Sequence, residues 1–397
     1  MSRRGRADIS DVVVVGGGIV GAAAALGMAK QGMSVQLVEP RRPEPWDAER
    51  APDLRVYAIS PASQALLERL DVWSPIQSRR AQAYRHMEVW DAVAGRPMRL
   101  SAHESGRDVL GHIVESRLLL DVLWSALQAS SVRLRVGISA EGIDTDNAAR
   151  QTRLLLSDGT TLSTQLVVSA EGANSPLRRA QGIGTQGRDY AQQGVVCFVQ
   201  TELAHAETAW QRFLSTGPLA FLPFGDGQCS IVWTLPAPEA TRVCAMPAEA
   251  FEIALERAFD ARLGRLRLCS ERVGFALRMQ VAEQMVDGPL VLMGDAAHAV
   301  HPLAGQGVNL GLADVAEWLE CVRHALSQQL AVPSPRGLAR YARRRRSESW
   351  WAAHTYDAIE RVYTAPQILP SLLRGQAFSL LATSARLRRW VVEHASG

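Results

Sequence analysis

Within Gly294–Asp314, GDAAHAVHPLAGQGVNLGLAD, an acid, two histidines, a proline and a glycine turn lie close together. Asp295 follows the apolar, strand-like run Pro289–Met293. Pro302 stands in a loop, and Gly305-Gln306-Gly307 opens a helical pattern that continues through Asn309, Leu312 and Trp318. The first N–H groups of a helix have no intrahelical partner, and the aligned peptide dipoles add partial positive charge there. Glycine lets a ligand approach such backbone closely, so Gly305, Gly307, Val308 and Asn309 suit a group that carries negative charge. An ordinary helix cap explains the same residues equally well. His298 and His301 could carry protons, since histidine titrates near neutrality, but a histidine beside a strand end more often serves structure. No general base is assigned, and the catalytic residues stay unknown at this level.

A second glycine cluster narrows the choice. Asp11–Val15 is a short β-branched run of the kind buried on both faces of a parallel sheet. Gly16, Gly18 and Gly21 follow as G-x-G-x-x-G, ahead of an Ala-rich helix expected over Ala22–Gln31. Glu39 closes the next strand, Ser34–Val38. The parts match a dinucleotide site: a tight turn, a close approach to pyrophosphate, tight helix packing and an acid for ribose hydroxyls. No second copy of the motif occurs, which argues against a two-dinucleotide architecture.

The elements that must position these groups follow from length and pattern. A chain of 397 residues is ample for two or three structural units. Its 43 basic and 40 acidic residues leave a net charge of only +3, and no RNA- or DNA-binding module is evident, so a nucleic-acid partner is not expected. No segment reaches the roughly twenty apolar residues that cross a bilayer, and the start does not read as a signal peptide. Five cysteines without C-x-x-C spacing indicate neither a metal site nor a disulfide framework, so a reducing cytoplasm is expected. Arg343–Arg346 reads as the solvated face of a helix, with a patch for anionic lipid as the alternative.

Further along, Arg55 precedes a helix over Pro61–Leu70, and Gly111–Leu127 reads as a helix with Arg117 near its start. Val132–Ile138, Arg153–Leu156 and Leu166–Ala170 read as strands, and Gly194–Thr201, Leu219–Leu222 and Cys229–Thr234 as strands of a separate sheet. Phe221, Pro223, Phe224 and Trp233 fall on that sheet and could line an apolar substrate pocket or serve as its core. A helical region follows Pro335.

Three blocks, GGGIVG at 16–21, AEGANSPLRR at 170–179 and the Gly294–Asp314 run, make the whole chain resemble the class A flavoprotein monooxygenases, the family of para-hydroxybenzoate hydroxylase. Within that family LRVYAISPASQALLERLDVW at 54–73 and TAWQRFLSTGPLAFLPF at 208–224 are most similar to the ring hydroxylases of ubiquinone biosynthesis. The resemblance implies an α/β fold: a Rossmann-like FAD-binding domain, an inserted mixed-sheet substrate domain and a C-terminal helical region. The expected division is 1–75, 106–185 and 273–330 for the FAD-binding domain, 76–105 and 186–272 for the substrate domain, and 331–397 for the helical region.

By the same resemblance, Gly16, Gly18 and Gly21 hold the FAD pyrophosphate and Glu39 the adenosine ribose. Arg55 and Arg117 face the cofactor, and Asp295 bonds the ribityl chain. Pro302 lies at the isoalloxazine edge where oxygen reacts, Gly307, Val308 and Asn309 line its pyrimidine end, and Gly305 belongs to the cofactor-binding set. NAD(P)H would reduce FAD, O₂ would add to give a flavin C4a-hydroperoxide, and its distal oxygen would pass to an electron-rich ring. The implied substrate is a polyprenylated phenol or benzoquinol, which brings contact with a membrane or a biosynthetic complex at the inner face of the membrane into view. Trp350, Trp351, Tyr356, Tyr363, Phe378 and Trp390 could make that contact or pack as helical core. The family's middle block has Asp-Gly where this chain has Glu171-Gly172, which bears on nicotinamide docking more than on FAD. A flavin-dependent halogenase needs an active-site lysine, and the only lysine here, Lys30, lies on the dinucleotide-binding helix. A hydroxylase of a soluble phenol and a non-catalytic FAD-binding scaffold stand as the alternatives.

Overall fold

The computed structural model describes residues 9–92, 97–146, 151–299 and 307–364. Strand β1 (Ser10–Val15) is the axis of a parallel sheet. It is followed by helix α1 (Ile19–Lys30) and strand β2 (Val35–Glu39), which pairs with β1 in parallel. On its other side β1 pairs with the strand Thr161–Ser169, which in turn pairs with Leu290–Leu292, while Arg133–Val136 extends the sheet beyond β2. Val12–Val15 are at most 2% exposed, as a strand covered on both faces requires. Ala22–Ala25 of α1 are fully buried, and these small side chains let α1 lie close against the helices Ser116–Gln128 and Gly307–Ser327. The helix begins at Ile19 rather than Ala22, because the Ala22 N–H already bonds the Gly18 carbonyl at 2.8 Å.

Among the described residues a second, nine-stranded sheet carries the inserted region. Its long strand Thr185–Thr201 pairs antiparallel with Gln228–Pro236 on one side and Val273–Ala282 on the other. Beyond Gln228–Pro236 come Gly217–Pro223, Thr208–Leu214, His86–Asp91 and Met98–Ser101 in that order. The expected boundary at 273 therefore moves, since Val273–Ala282 is held by the second sheet. The short strand His298–Ala299 also joins this sheet, through Gln280 and Val281, so the loop carrying Asp295 bridges the two units.

Between them lies a three-stranded sheet of Val56–Ile59, Gly111–Glu115 and Ala81–Tyr84. It corrects two expectations. Residues 81–84 pair here rather than in the substrate sheet, and Gly111–Glu115 is a strand, so the helix starts at Ser116. All five residues of that strand are buried, and its Ile113 and Val114 face opposite ways, Val114 into the core of the parallel sheet and Ile113 toward Phe198 and Leu222. Successive side chains buried on opposite faces suit a strand and defeat a one-faced helix.

The glycine motif is explained by backbone contact. Gly16 has φ +100°, and a Cβ on it would lie 2.4 Å from the Ala170 carbonyl oxygen; a Cβ on Gly21 would lie 1.9 Å from the Gly16 oxygen. Gly21→Ala should therefore cost on the order of 3 kcal/mol as an overpacking defect with backbone displacement. Denaturant unfolding of the apoprotein checks this, and an unchanged midpoint would mean that the helix and loop are not held at this approach.

Candidate functional site

Four loops meet at the carboxyl edge of the parallel sheet, where connections leave β1 and its two neighbours in opposite directions, the place at which open α/β sheets receive ligands. The first is Gly16-Gly17-Gly18. A Cβ on Gly18 would meet nothing within 4 Å, and Gly18 caps α1 with no side-chain hydrogen bond. The start of α1 thus presents unpartnered N–H groups to open space, as a pyrophosphate needs. Glu39 from the end of β2 accepts the Gly17 N–H at 2.5 Å and the Arg41 N–H at 3.1 Å, and Trp124 donates its indole N–H to the Gly17 carbonyl at 2.7 Å. The turn is held from both sides.

Arg55 and Arg117, far apart in sequence, are brought together by Asp53. Its Oδ1 accepts the Arg55 N–H at 3.1 Å and its Oδ2 the Arg117 N–H at 3.2 Å, while the Ser116 N–H bonds the Arg55 carbonyl at 2.8 Å. The Arg55 guanidinium is exposed, 5.9 Å from the Tyr57 ring centroid. Asp295, on the loop after Leu290–Leu292, opens onto accessible space yet is walled by protein. Burial raises its carboxyl pKa, His298 and Arg55 pull it back, and the charge of Asp314 raises it further. An acid and a cation thus face one cleft beside the glycine turn.

The helix Gly307–Ser327 brings its first turn, with Gly307, Val308 and Asn309, to the same edge. Asn309 departs from expectation in one respect. Its side chain is spent on protein, donating to the Ala58 carbonyl at 2.7 Å and accepting the Ser60 N–H at 3.0 Å, which leaves its backbone alone to face a ligand. Pro302, Gly305 and His301 lie outside the described residues, as do the side chains of Tyr356, Tyr363, Phe378 and Trp390; Trp350 and Trp351 are 50% and 65% exposed.

The fourth loop holds Glu171. Its carboxylate turns inward, accepting the Ser175 hydroxyl at 2.6 Å, the Ser169 hydroxyl at 2.9 Å and the Leu177 N–H at 3.3 Å. Arg178 then ties this block to the next by donating to the Ala296 carbonyl at 2.8 Å. The longer acid is thus a local brace at the head of the short helix Pro176–Ala180.

Two expectations change. Of the two roles open to Phe221 and Trp233, the described residues give core and not a pocket wall: Phe221 is fully buried, stacked on Phe259 with ring centroids 3.7 Å apart, and Trp233 packs toward Phe251. Pro223 shares their face of the strand and is buried as well. Helices Ala237–Ala245 and Ala248–Ala258 roof that face, whereas the alternate residues Leu222 and Phe224 point toward the three-stranded sheet. Nor is Arg343–Arg346 uniformly solvated. Arg343, Arg344 and Arg346 are exposed, but Arg345 is 2% exposed and bonds Asp314, which is fully buried.

Asp314 and Arg345 are the polar residues that reading the sequence missed. The available signal was a single acid among Gly311, Leu312, Val315 and Trp318 on a helix's apolar face, a position that demands a partner. Burial pushes the Asp314 pKa up, but the charges of His298 and Arg345 and its hydrogen bonds outweigh that and hold it below the usual carboxylate value.

The glycine turn, the acid closing β2 and the two braced loops are the parts a dinucleotide site is built from, and a family model described as an FAD binding domain matches residues 9–354. The chain belongs to this FAD-binding family, that of the flavin-dependent aromatic-ring monooxygenases. Among its relatives it is 36% identical to the 3-demethoxyubiquinol 3-hydroxylase of Escherichia coli (strain K12), over 98% of each chain. It is 34% identical to the ubiquinone hydroxylase UbiL of Rhodospirillum rubrum, over 99% of this chain and 91% of that one. Of solved structures, p-nitrophenol 4-monooxygenase PnpA from Pseudomonas putida DLL-E4 shares the fold with a TM-score of 0.77 at 19% identity, covering 98% of this chain and 97% of that one. Klebsiella pneumoniae HpxO, complexed with FAD and uric acid, does so with a TM-score of 0.74 at 16% identity, with the same coverage.

Two outcomes are expected. Asp295→Ala should purify largely without yellow cofactor, and full FAD occupancy by absorbance would refute a ribityl contact. Burial also raises the Glu171 pKa above 4.5, against its hydrogen bonds from Ser175, Ser169 and Leu177 and the charge of Arg178. The folded protein therefore binds this proton more tightly than the unfolded chain, so its contribution to stability is full below the unfolded pKa and is lost as pH rises through the folded one. The melting temperature of Glu171→Gln apoprotein should accordingly gain on wild type as pH climbs from 4.5; a difference independent of pH counts against it.

Proposed function

We propose that this flavin monooxygenase hydroxylates the ring of a polyprenylated phenol or benzoquinol in ubiquinone biosynthesis, with NADH or NADPH as reductant and O₂ as the oxygen source. The observation that carries the reading is 36% identity to a demethoxyubiquinol hydroxylase along 98% of both chains.

FAD, when bound, supplies electron transfer from a nicotinamide and activation of O₂. The chain's own residues hold and shield it. Gly16, Gly18 and Gly21 with the start of α1 receive the pyrophosphate, and Glu39 exchanges its backbone contacts for ribose hydroxyls. Asp295 takes the ribityl chain, Arg55 and Arg117 stand by the cofactor, and the first turn at Gly307, Val308 and Asn309 receives negative charge at the ring's pyrimidine end. Pro302 and Gly305 belong to this set by resemblance. No covalent nucleophile is needed; the protein orients the ring of the substrate and excludes water. His298 is bound to Asp314 and is not assigned as a base.

A prenylated substrate resides in a membrane, and no helix among the described residues is long and apolar enough to cross one. Peripheral attachment at the inner face, with exposed Trp350 and Trp351 beside Arg343 and Arg346, satisfies both conditions.

A deletion strain should accumulate a prenylated precursor lacking one ring oxygen, identified by mass, and the wild-type gene should clear it. Absence of such a precursor would remove the quinone assignment. Anaerobic mixing with NADH or NADPH should bleach the flavin faster when a phenolic ligand is bound, and a flavin that never bleaches would mark a non-catalytic scaffold.

A further inference from the structure

We infer that Arg345 and Asp314 form a positioning pair through which the tail helix Pro335–Thr364 sets how tightly the loop Gly294–His298 holds FAD. This rests on the flavin reading of that loop. One carboxylate oxygen pins the loop at both ends: Asp314 Oδ2 accepts the Gly294 N–H at 2.8 Å and lies 2.7 Å from His298 Nε2. Asp295 stands between the two anchors, so the position of that carboxylate dictates where Asp295 points. Asp314 is itself fixed from outside the sheet, since its Oδ1 accepts Arg345 Nε at 2.5 Å. Arg345 Nη2 also donates to the Leu310 carbonyl at 3.1 Å, at the head of the helix whose first turn faces the same cleft, and Arg345 Nη1 pairs with Glu348.

A second side chain, one turn earlier on the tail helix, grips the same place. Tyr341 is fully buried and donates its hydroxyl to the Leu292 carbonyl at 2.8 Å, at the end of the strand that enters the loop. The tail helix therefore holds both the strand end and the carboxylate that anchors the loop. His298 Nδ1 is buried with no hydrogen-bond partner, so among the described residues Asp314 is the ring's hydrogen-bonding hold. If docking of the tail helix favours the geometry that binds FAD, FAD must favour docking of the tail helix by the same factor.

The test measures FAD affinity by flavin fluorescence on titrating apoprotein, and backbone hydrogen exchange over 294–298 and 335–349 with and without FAD. Arg345→Met should weaken FAD binding by about tenfold or more. Arg345→Lys should restore part of the loss, and Arg336→Gln, which removes an exposed charge from the same helix, should stay within about twofold of wild type. FAD should slow exchange in the tail helix of the wild type and fail to do so in Arg345→Met. Should Arg345→Met not fold, Tyr341→Phe decides: it removes one hydroxyl and should weaken FAD by about threefold while reducing the protection. Unchanged affinity in a folded Arg345→Met, or in Tyr341→Phe where that variant decides, overturns the inference, as does a wild-type tail helix indifferent to FAD. Wild-type protein that binds no FAD would instead overturn the flavin reading.

Discussion

The end of β1 passes so close to its neighbours that no side chain fits: a Cβ on Gly16 would overlap the Ala170 carbonyl. That approach fixes the relation of the first strand to Thr161–Ser169, and with it the crevice from which α1 departs. Glu39 arrives on the opposite flank at the end of β2, and Asp295 at the end of Leu290–Leu292. These side chains come from three strand ends, yet they need no separate device to assemble, because parallel strands bring their carboxyl ends to one edge. Backbone N–H groups and helix starts lie at that edge as well, and their partial positive charge is present before any cation is placed.

A buried ion pair is weak evidence for stability, because desolvation of both charges offsets their attraction, and it is strong evidence for geometry, because removing one partner costs about 3–5 kcal/mol. Asp314 and Arg345 fit that description. Burial works against the charged form of each, yet the Asp314 pKa is lowered and that of Arg345 raised, so the pair holds its charges in the folded protein. An apolar pair would have packed the tail helix as well. It would not have supplied acceptors for the Gly294 N–H and the His298 ring, and the loop would lose its two anchors.

The arrangement of this strand edge was legible in the sequence because its signals are local: glycines at fixed offsets, an acid closing the next strand, an acid following an apolar run. Expectation failed where the deciding partner lies far along the chain. Gly111–Glu115 is a strand because Val56–Ile59 and Ala81–Tyr84 flank it, and nothing within those five residues says so. Phe221 and Trp233 are core because helices over 237–258 cover that face, leaving Leu222 and Phe224 to look toward the cofactor unit. Arg345 sits in a run of four arginines whose composition predicts solvent, and only the spacing from Tyr341, one turn away, marks the buried stripe.

This division between backbone and side chain bears on what the fold leaves free. PnpA, a p-nitrophenol 4-monooxygenase, and HpxO, solved in complex with FAD and uric acid, share the architecture at 19% and 16% identity. An edge lined by main-chain N–H groups tolerates such divergence, since substitution leaves those donors in place wherever glycine is not required. The second sheet has no such main-chain basis, since its two faces are set by the side chains that alternate along its strands. In this chain the face toward the three-stranded sheet carries Phe198, Leu222 and Phe224, apolar and closely packed against Val56, Ala58 and Ile113. A change there disturbs the seam between the second and three-stranded sheets, while the close approaches of Gly16 and Gly21 lie outside that cluster.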